Sequence, residues 1–161
     1  MSDPETHLRF GLGFDSHAPA HDRTLKLGGV TFEGESGLAG HSDADVVCHA
    51  LADAVLGAAG LGDIGGHFPE TDPGLAGIDG RDLLRRVVEL VRERGMRPVS
   101  CDVVVVIERP SIAAHRDEIR STLAEVLGTR QDRISVKGKR PEGLALTDGG
   151  AACIALAVLS P

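Results

Sequence analysis

The sequence predicts an α+β domain: a mixed β-sheet with helices packed on one of its faces. Three observations lead there. Two apolar runs, CDVVVVIE at 101–108 and AACIALAVL at 151–159, have the length and residue content of buried strands. Three other segments carry apolar residues at helical spacing. Glycine-rich connections join these elements without a linker, a repeat or a low-complexity stretch. The 161 residues therefore read as one domain, 1–161, long enough to bury a core.

The elements follow in order. HLRFGLGF (7–14) alternates enough for a first strand, and LKLGGVTF (25–32) reads as a further strand or hairpin arm. Residues 43–59 form a helix with Ser42 or Asp43 as N-cap and Val46, Val47, Ala50, Leu51, Ala54, Val55 and Ala58 on its apolar face. GLGDIGGHFPETDPG follows as a loop too long for a turn. A second helix spans 79–94, with Leu83, Leu84, Val87, Leu90 and Val91 in register and Gly95 at its end. After the strand at 101–108, a third helix covers about 111–127, marked by Ile112, Ile119, Leu123, Val126 and Leu127. RISVKG (133–138) and AACIALAVL (151–159) are the last strands, so the order is β-β-α-α-β-α-β-β. The strands at 101–108 and 151–159 are apolar on both faces. One face meets the helices, and the other calls for a cover that a second copy of the chain can supply.

Composition excludes several classes of function. The formal net charge of −7 argues against general nucleic-acid binding, and 2% aromatics without Trp or Tyr leave no stacking platform for single strands. Cys48, Cys101 and Cys153 form no CxxC and sit in apolar runs, as core thiols of a reduced cytosol do. MSDPETH lacks the features of a signal peptide, and no apolar run is long enough to span a membrane. The expectation is a cytoplasmic protein acting on a small molecule.

Candidate chemistry begins at Asp15-Ser16-His17. Alternate residues of an extended chain point to one side, so Asp15 and His17 can converge on a divalent metal. The competing reading is a surface turn. His49 lies on the helix one turn from Asp45 and one turn from Asp53, and a flanking carboxylate such as Asp53 is a ready partner to fix its tautomer. The competing reading is a hydrogen-bonded core histidine. Two histidines and an aspartate make a three-ligand site with an open fourth position, although spacing alone leaves open whether they meet. His41 precedes the helix, about 10 Å or more from His49 along the axis. With Ser42 beside a helix N-terminus, it reads as part of an anion site, against a solvated loop residue.

The runs GLGFDSH, LKLGGV and GLAGHSDADVVCHALADAVLGAAGLGDIGGHFPETDP resemble the 2-C-methyl-D-erythritol 2,4-cyclodiphosphate synthase family, the cyclases of the non-mevalonate isoprenoid pathway. The resemblance covers nearly the whole chain and is most specific over 37–73. It implies zinc on Asp15, His17 and His49, and phosphate contacts from His41 and Ser42. It further implies that Asp63, in Asp63-Ile64-Gly65, holds the sugar hydroxyls, with Phe68-Pro69-Glu70-Thr71-Asp72 as a mobile loop above them. Glu142 stands at the position that binds Mg²⁺ or Mn²⁺ bridging the phosphates. Residues 107–113, among them Ile107, Pro110, Ser111, Ile112 and Ala113, match the cytidine pocket. The implied assembly is a homotrimer with sites at subunit interfaces. The implied reaction is intramolecular attack of a 2-phosphate on the β-phosphorus of a cytidine diphosphate ester, releasing CMP.

The second half departs from the family pattern. Arg140 stands at the catalytic threonine, beside Lys139; Leu146 replaces a common Phe, Gly149 an Arg and Ser111 a Lys. Cations missing at 111 and 149 have reappeared at 139 and 140, which reads as relocated charge, with Arg140 stabilising phosphoryl transfer. The rival readings are a relative acting on another nucleoside-diphosphate polyol phosphate, and a catalytically silent trimer binding metal and a nucleotide or isoprenoid.

Overall fold

The computed structural model describes residues 7–144 and 147–161. Its elements are β1 (Arg9–His17), β2 (Pro19–Leu27), β3 (Val30–Leu38), α1 (Val46–Ala59), the short α2 (Ile64–His67), α3 (Gly80–Glu93), β4 (Arg97–Ile107), α4 (Ile112–Leu127), β5 (Ile134–Lys139) and β6 (Ala151–Ser160). A four-stranded sheet runs in the order β1-β6-β4-β5, with β6 antiparallel to both neighbours and β5 parallel to β4. The mixed sheet with helices on one face is as the sequence predicts.

Three corrections concern the first third of the chain. The segment 25–32 is the tip of a β2–β3 hairpin, a separate two-stranded sheet, so three strands and not two precede α1. Its turn residues Gly28 and Gly29 both have positive φ, the requirement of a two-residue hairpin. β1 runs on through His17, which brings Asp15 and His17 into the strand itself. α1 starts at Val46, with Asp45 as its cap in place of Ser42 or Asp43. Ala44, at φ 57, cannot continue a helix, and Asp45 accepts from Val47 N and Cys48 N one turn later. Its two oxygens also accept from Gly28 N and Gly29 N, which ties the hairpin turn to the helix start. The loop over 60–74 contains α2.

Strand alternation decides what β1 offers each side. Gly11, Gly13, Asp15 and His17 face α1. A Cβ on Gly11 or Gly13 would lie 1.9 Å from the carbonyl oxygen of Ala54 or Ala50, so only glycine lets the helix rest directly on the strand. The opposite face carries Phe10, Leu12 and Phe14 at 63%, 71% and 59% exposure, with Ile154 and Leu156 of β6 paired beside them. This is the uncovered apolar face expected from the two-sided strands. It is not apolar throughout, because Asp102 of β4 meets Lys137 of β5 at 2.6 Å on the same side. The helix side is one continuous core built from α1, α3, α4 and the inward residues of the sheet.

Candidate metal centre and two clefts

Close seating of α1 on β1 brings His49 against the end of the strand. Asp15 Oδ2 lies 3.0 Å from His17 Nε2 and 3.1 Å from His49 Nδ1, and the two ring nitrogens are 3.4 Å apart. A tetrahedral ion with bonds of about 2.0–2.1 Å sets its ligand atoms about 3.3 Å from one another. The three atoms therefore already form one face of such a tetrahedron, and the set of one carboxylate and two imidazoles suits zinc. Burial favours the neutral form of Asp15, but hydrogen bonds from both histidines and their charge outweigh it and hold the carboxyl down at about 2. Burial likewise disfavours a charged His49, and Asp15 reverses the effect, so its pKa is raised.

The orientation of His49 is fixed by Ser42. The serine Oγ is 3.0 Å from His49 Nε2, so an Nε2–H donated to it leaves Nδ1 free as a ligand. Asp53, the partner expected from helical spacing, accepts instead from Ile64 N at 2.7 Å and fastens α2 to α1. Ser42 Oγ also accepts from Ala44 N, and Arg23 braces the same loop by donating to the carbonyl oxygens of Gly40 and Ser42. The hydroxyl proton of Ser42 remains available to a ligand.

The triad floors a cleft of about 140 Å³, with His41 and Ser42 at its rim and Ile64, Phe68 and Glu70 from the following loop along its side. Leu75, Ile78 and Leu83 complete an apolar wall that the sequence reading missed, since Leu75 sits in a polar stretch with no periodicity to mark it. Asp63 is exposed and caps α2 by accepting from Gly66 N at 3.0 Å. Asp72 accepts from Gly74 N at 2.8 Å. Gly65, Pro69 and Thr71 are exposed beside the cleft without lining it.

A second cleft, about 100 Å³, gathers Ile107, Pro110, Ser111, Ile112, Ala113, Lys139 and Arg140, together with Gly138 and Arg116. Its residues come from the loop after β4, the start of α4 and the end of β5. Arg116 had no motif to mark it; its helical distance of one turn from Ile112 was the available signal. Gly149 lies in a different depression, against Pro19, His21 and Arg109. Glu142 is exposed in the turn after β5, where Leu144 N donates to Pro141 O, and lines neither cleft. Leu146 lies outside the described residues.

The two clefts share no lining residue. His17 pairs with Ala151, Ala151 with Ile107, and Val106 with Lys139, so the triad and the cationic strand end are three strand spacings apart, about 14 Å. Alternation also turns Lys139 toward the face opposite the helices, whereas Asp15 and His17 face α1.

The YgbB family model matches residues 8–160. A 2-C-methyl-D-erythritol 2,4-cyclodiphosphate synthase of Symbiobacterium thermophilum is 50% identical over 155 residues, which is 95% of this chain and 99% of that protein. Among solved structures, a 2C-methyl-D-erythritol-2,4-cyclodiphosphate synthase in a CDP-bound form matches with a TM-score of 0.87 and 38% identity, over 94% of this chain and 100% of that one. The bifunctional IspDF from Campylobacter jejuni matches with a TM-score of 0.92 and 35% identity, over 98% of this chain and 43% of that longer one. A match of this length and identity leaves one conclusion: the chain belongs to the YgbB family.

Proposed function

We propose that the protein converts 4-diphosphocytidyl-2-C-methyl-D-erythritol 2-phosphate to 2-C-methyl-D-erythritol 2,4-cyclodiphosphate and CMP, as a metal-dependent phosphorus–oxygen lyase of isoprenoid biosynthesis. The observation that carries the reading is the ligand triangle of Asp15, His17 and His49 at the floor of a cleft rimmed by His41 and Ser42. It stands in a chain half identical to a synthase of that name.

In the reaction an oxygen of the 2-phosphate forms a bond to the β-phosphorus. The bond from that phosphorus to the oxygen of the α-phosphate breaks, and CMP departs with this oxygen. No water or external acid is consumed. The demands are alignment of the attacking and leaving oxygens and neutralisation of crowded charge. Asp15, His17 and His49 would hold a zinc ion, whose charge would act as a Lewis acid toward the diphosphate, and Glu142 would offer a carboxylate to a second divalent ion such as Mg²⁺ or Mn²⁺. His41 and Ser42 donate to phosphate oxygens from the rim. Asp63 accepts from the sugar hydroxyls, while Phe68, Ile64 and Glu70 close the side and exclude water. Arg140 donates to the charge that develops during transfer.

The nucleotide binds in the second cleft of a neighbouring copy, in a homotrimer with its sites between subunits. The separation of about 14 Å between the triad and the cationic strand end supports this, because both must reach one diphosphate. The exposed Phe10, Leu12, Phe14, Ile154 and Leu156 give the copies an apolar surface to bury. Incubation with the cytidine substrate, followed by phosphorus NMR, tests the proposal. The expected result is loss of the substrate resonances with equal gain of a cyclic diphosphate and CMP. An unchanged spectrum with metal-loaded protein contradicts it.

A further inference from the structure

The second cleft holds three cations, Arg116 from α4 and Lys139 and Arg140 from the end of β5, and no carboxylate lines it. The polar side chains next to Arg116 on α4 have partners. His115 faces Glu118 at 3.7 Å, and Arg120 holds Asp117 at 2.8 Å and the carbonyl oxygens of Ile134 and Gln131. Arg116 lies between these pairs with both neighbouring acids taken. Among the described residues neither Arg116, Lys139 nor Arg140 has a hydrogen bond or an ion pair. Three like charges facing one small cleft repel one another, and a bound anion relieves that repulsion. Of the remaining lining, Ile107, Pro110, Ile112 and Ala113 are apolar and suit a base or sugar face, with Gly138 and the hydroxyl of Ser111 beside them.

We infer that Arg116 binds the phosphate of the departing nucleotide and so determines the specificity of this cleft for CMP over uncharged cytidine. The inference rests on the assignment of the cleft to the nucleotide made above. Arg140 follows the strand that carries Lys139, and Arg116 reaches the same space from the helix across from it. The two guanidinium groups can thus serve different phosphates, Arg140 the one being transferred and Arg116 the one that leaves. A guanidinium fork matches two phosphate oxygens at once, and among the described residues Arg116 has no hydrogen bond or ion pair that it would have to give up.

The test is calorimetric titration of the zinc-loaded protein and its Arg116→Ala and Arg116→Lys variants with CMP and with cytidine. Arg116 is exposed and has no hydrogen-bond or ion-pair partner among the described residues, so equal melting temperatures are expected for all three proteins. The expected result is a loss of CMP affinity of about tenfold or more in Arg116→Ala, with cytidine unchanged. Arg116→Lys recovers part of the loss, and the difference between wild type and Arg116→Ala narrows at high salt. CMP binding by Arg116→Ala equal to wild type would overturn the inference, as would an equal loss for CMP and cytidine. A wild type that binds neither ligand overturns the nucleotide assignment of the cleft itself, and the role of Arg116 with it.

Discussion

The two clefts are built in different ways. In the first, backbone elements set each ligand atom: Asp15 and His17 by strand geometry, His49 by α1 and Ser42, and the strand–helix distance by Gly11 and Gly13. In the second, the cations are exposed, extend from a helix turn and a strand end, and hold no partner among the described residues. A site that must bind one small ion with fixed bond lengths is preorganised by backbone elements. A cleft that takes up and releases a nucleotide, the use proposed for the second, leaves its charges free until the ligand supplies the opposite sign.

Three experiments can break or sharpen that contrast. The largest effect is expected from His49→Ala, which removes a ligand while leaving the apolar face of α1 intact. Zinc content measured by atomic absorption should fall from about one per chain to none, and activity to background. Full zinc occupancy in that variant would refute the preorganised triad. Next is Arg140→Ala. If the guanidinium acts on charge developing in transfer, kcat and kcat/KM fall together by about 10²-fold, and Arg140→Thr does not rescue them. A modest rise in KM that disappears at high salt would reduce Arg140 to a general attraction for the substrate.

The smallest effect concerns Asp79, part of the scaffold beneath the first cleft. It caps α3 by accepting from Arg81 N at 2.9 Å and meets Lys26 at the same distance. Burial raises its pKa, but hydrogen bonds from Arg81 and Lys26 prevail and hold it well below the ordinary 3.8. A group depressed in the folded state stabilises fully above its unfolded value and loses that contribution as pH falls through the folded one. Asp79→Ala should therefore cost about 1 kcal/mol at neutral pH, with the gap to wild type in urea midpoint closing below about pH 4. A gap independent of pH would assign the whole effect to packing.

Sequence legibility follows the same division. The triad was legible because one strand period and one helix place its members, and because the run over 37–73 carries the family resemblance. The hairpin was half read. PAHDRT and EGESG, at its far ends, are polar on both faces and show no alternation, while Gly28-Gly29 reads as a turn only once strands flank it. Helical spacing offered Asp53 to His49, yet an unpaired amide at Ile64 claims the carboxylate, and a side chain from before the helix takes its place. Arg116, one helical turn from Ile112, was a weak signal because an exposed helix arginine is ordinary until β5 is seen to place two more cations beside it.

The central claim is that one working site combines the metal cleft of one copy with the cationic cleft of another. Co-expression of His49→Ala and Arg140→Ala chains under two affinity tags, with purification of the mixed assemblies, tests it directly. Each parent is inactive or nearly so, but a mixed trimer contains interfaces where an intact triad meets an intact Arg140. In every mixed trimer, whether two to one or one to two, one interface of the three is complete, so roughly a third of the wild-type rate should return. Mixed assemblies no more active than the sum of the two parents would contradict the claim and place each site within a single chain.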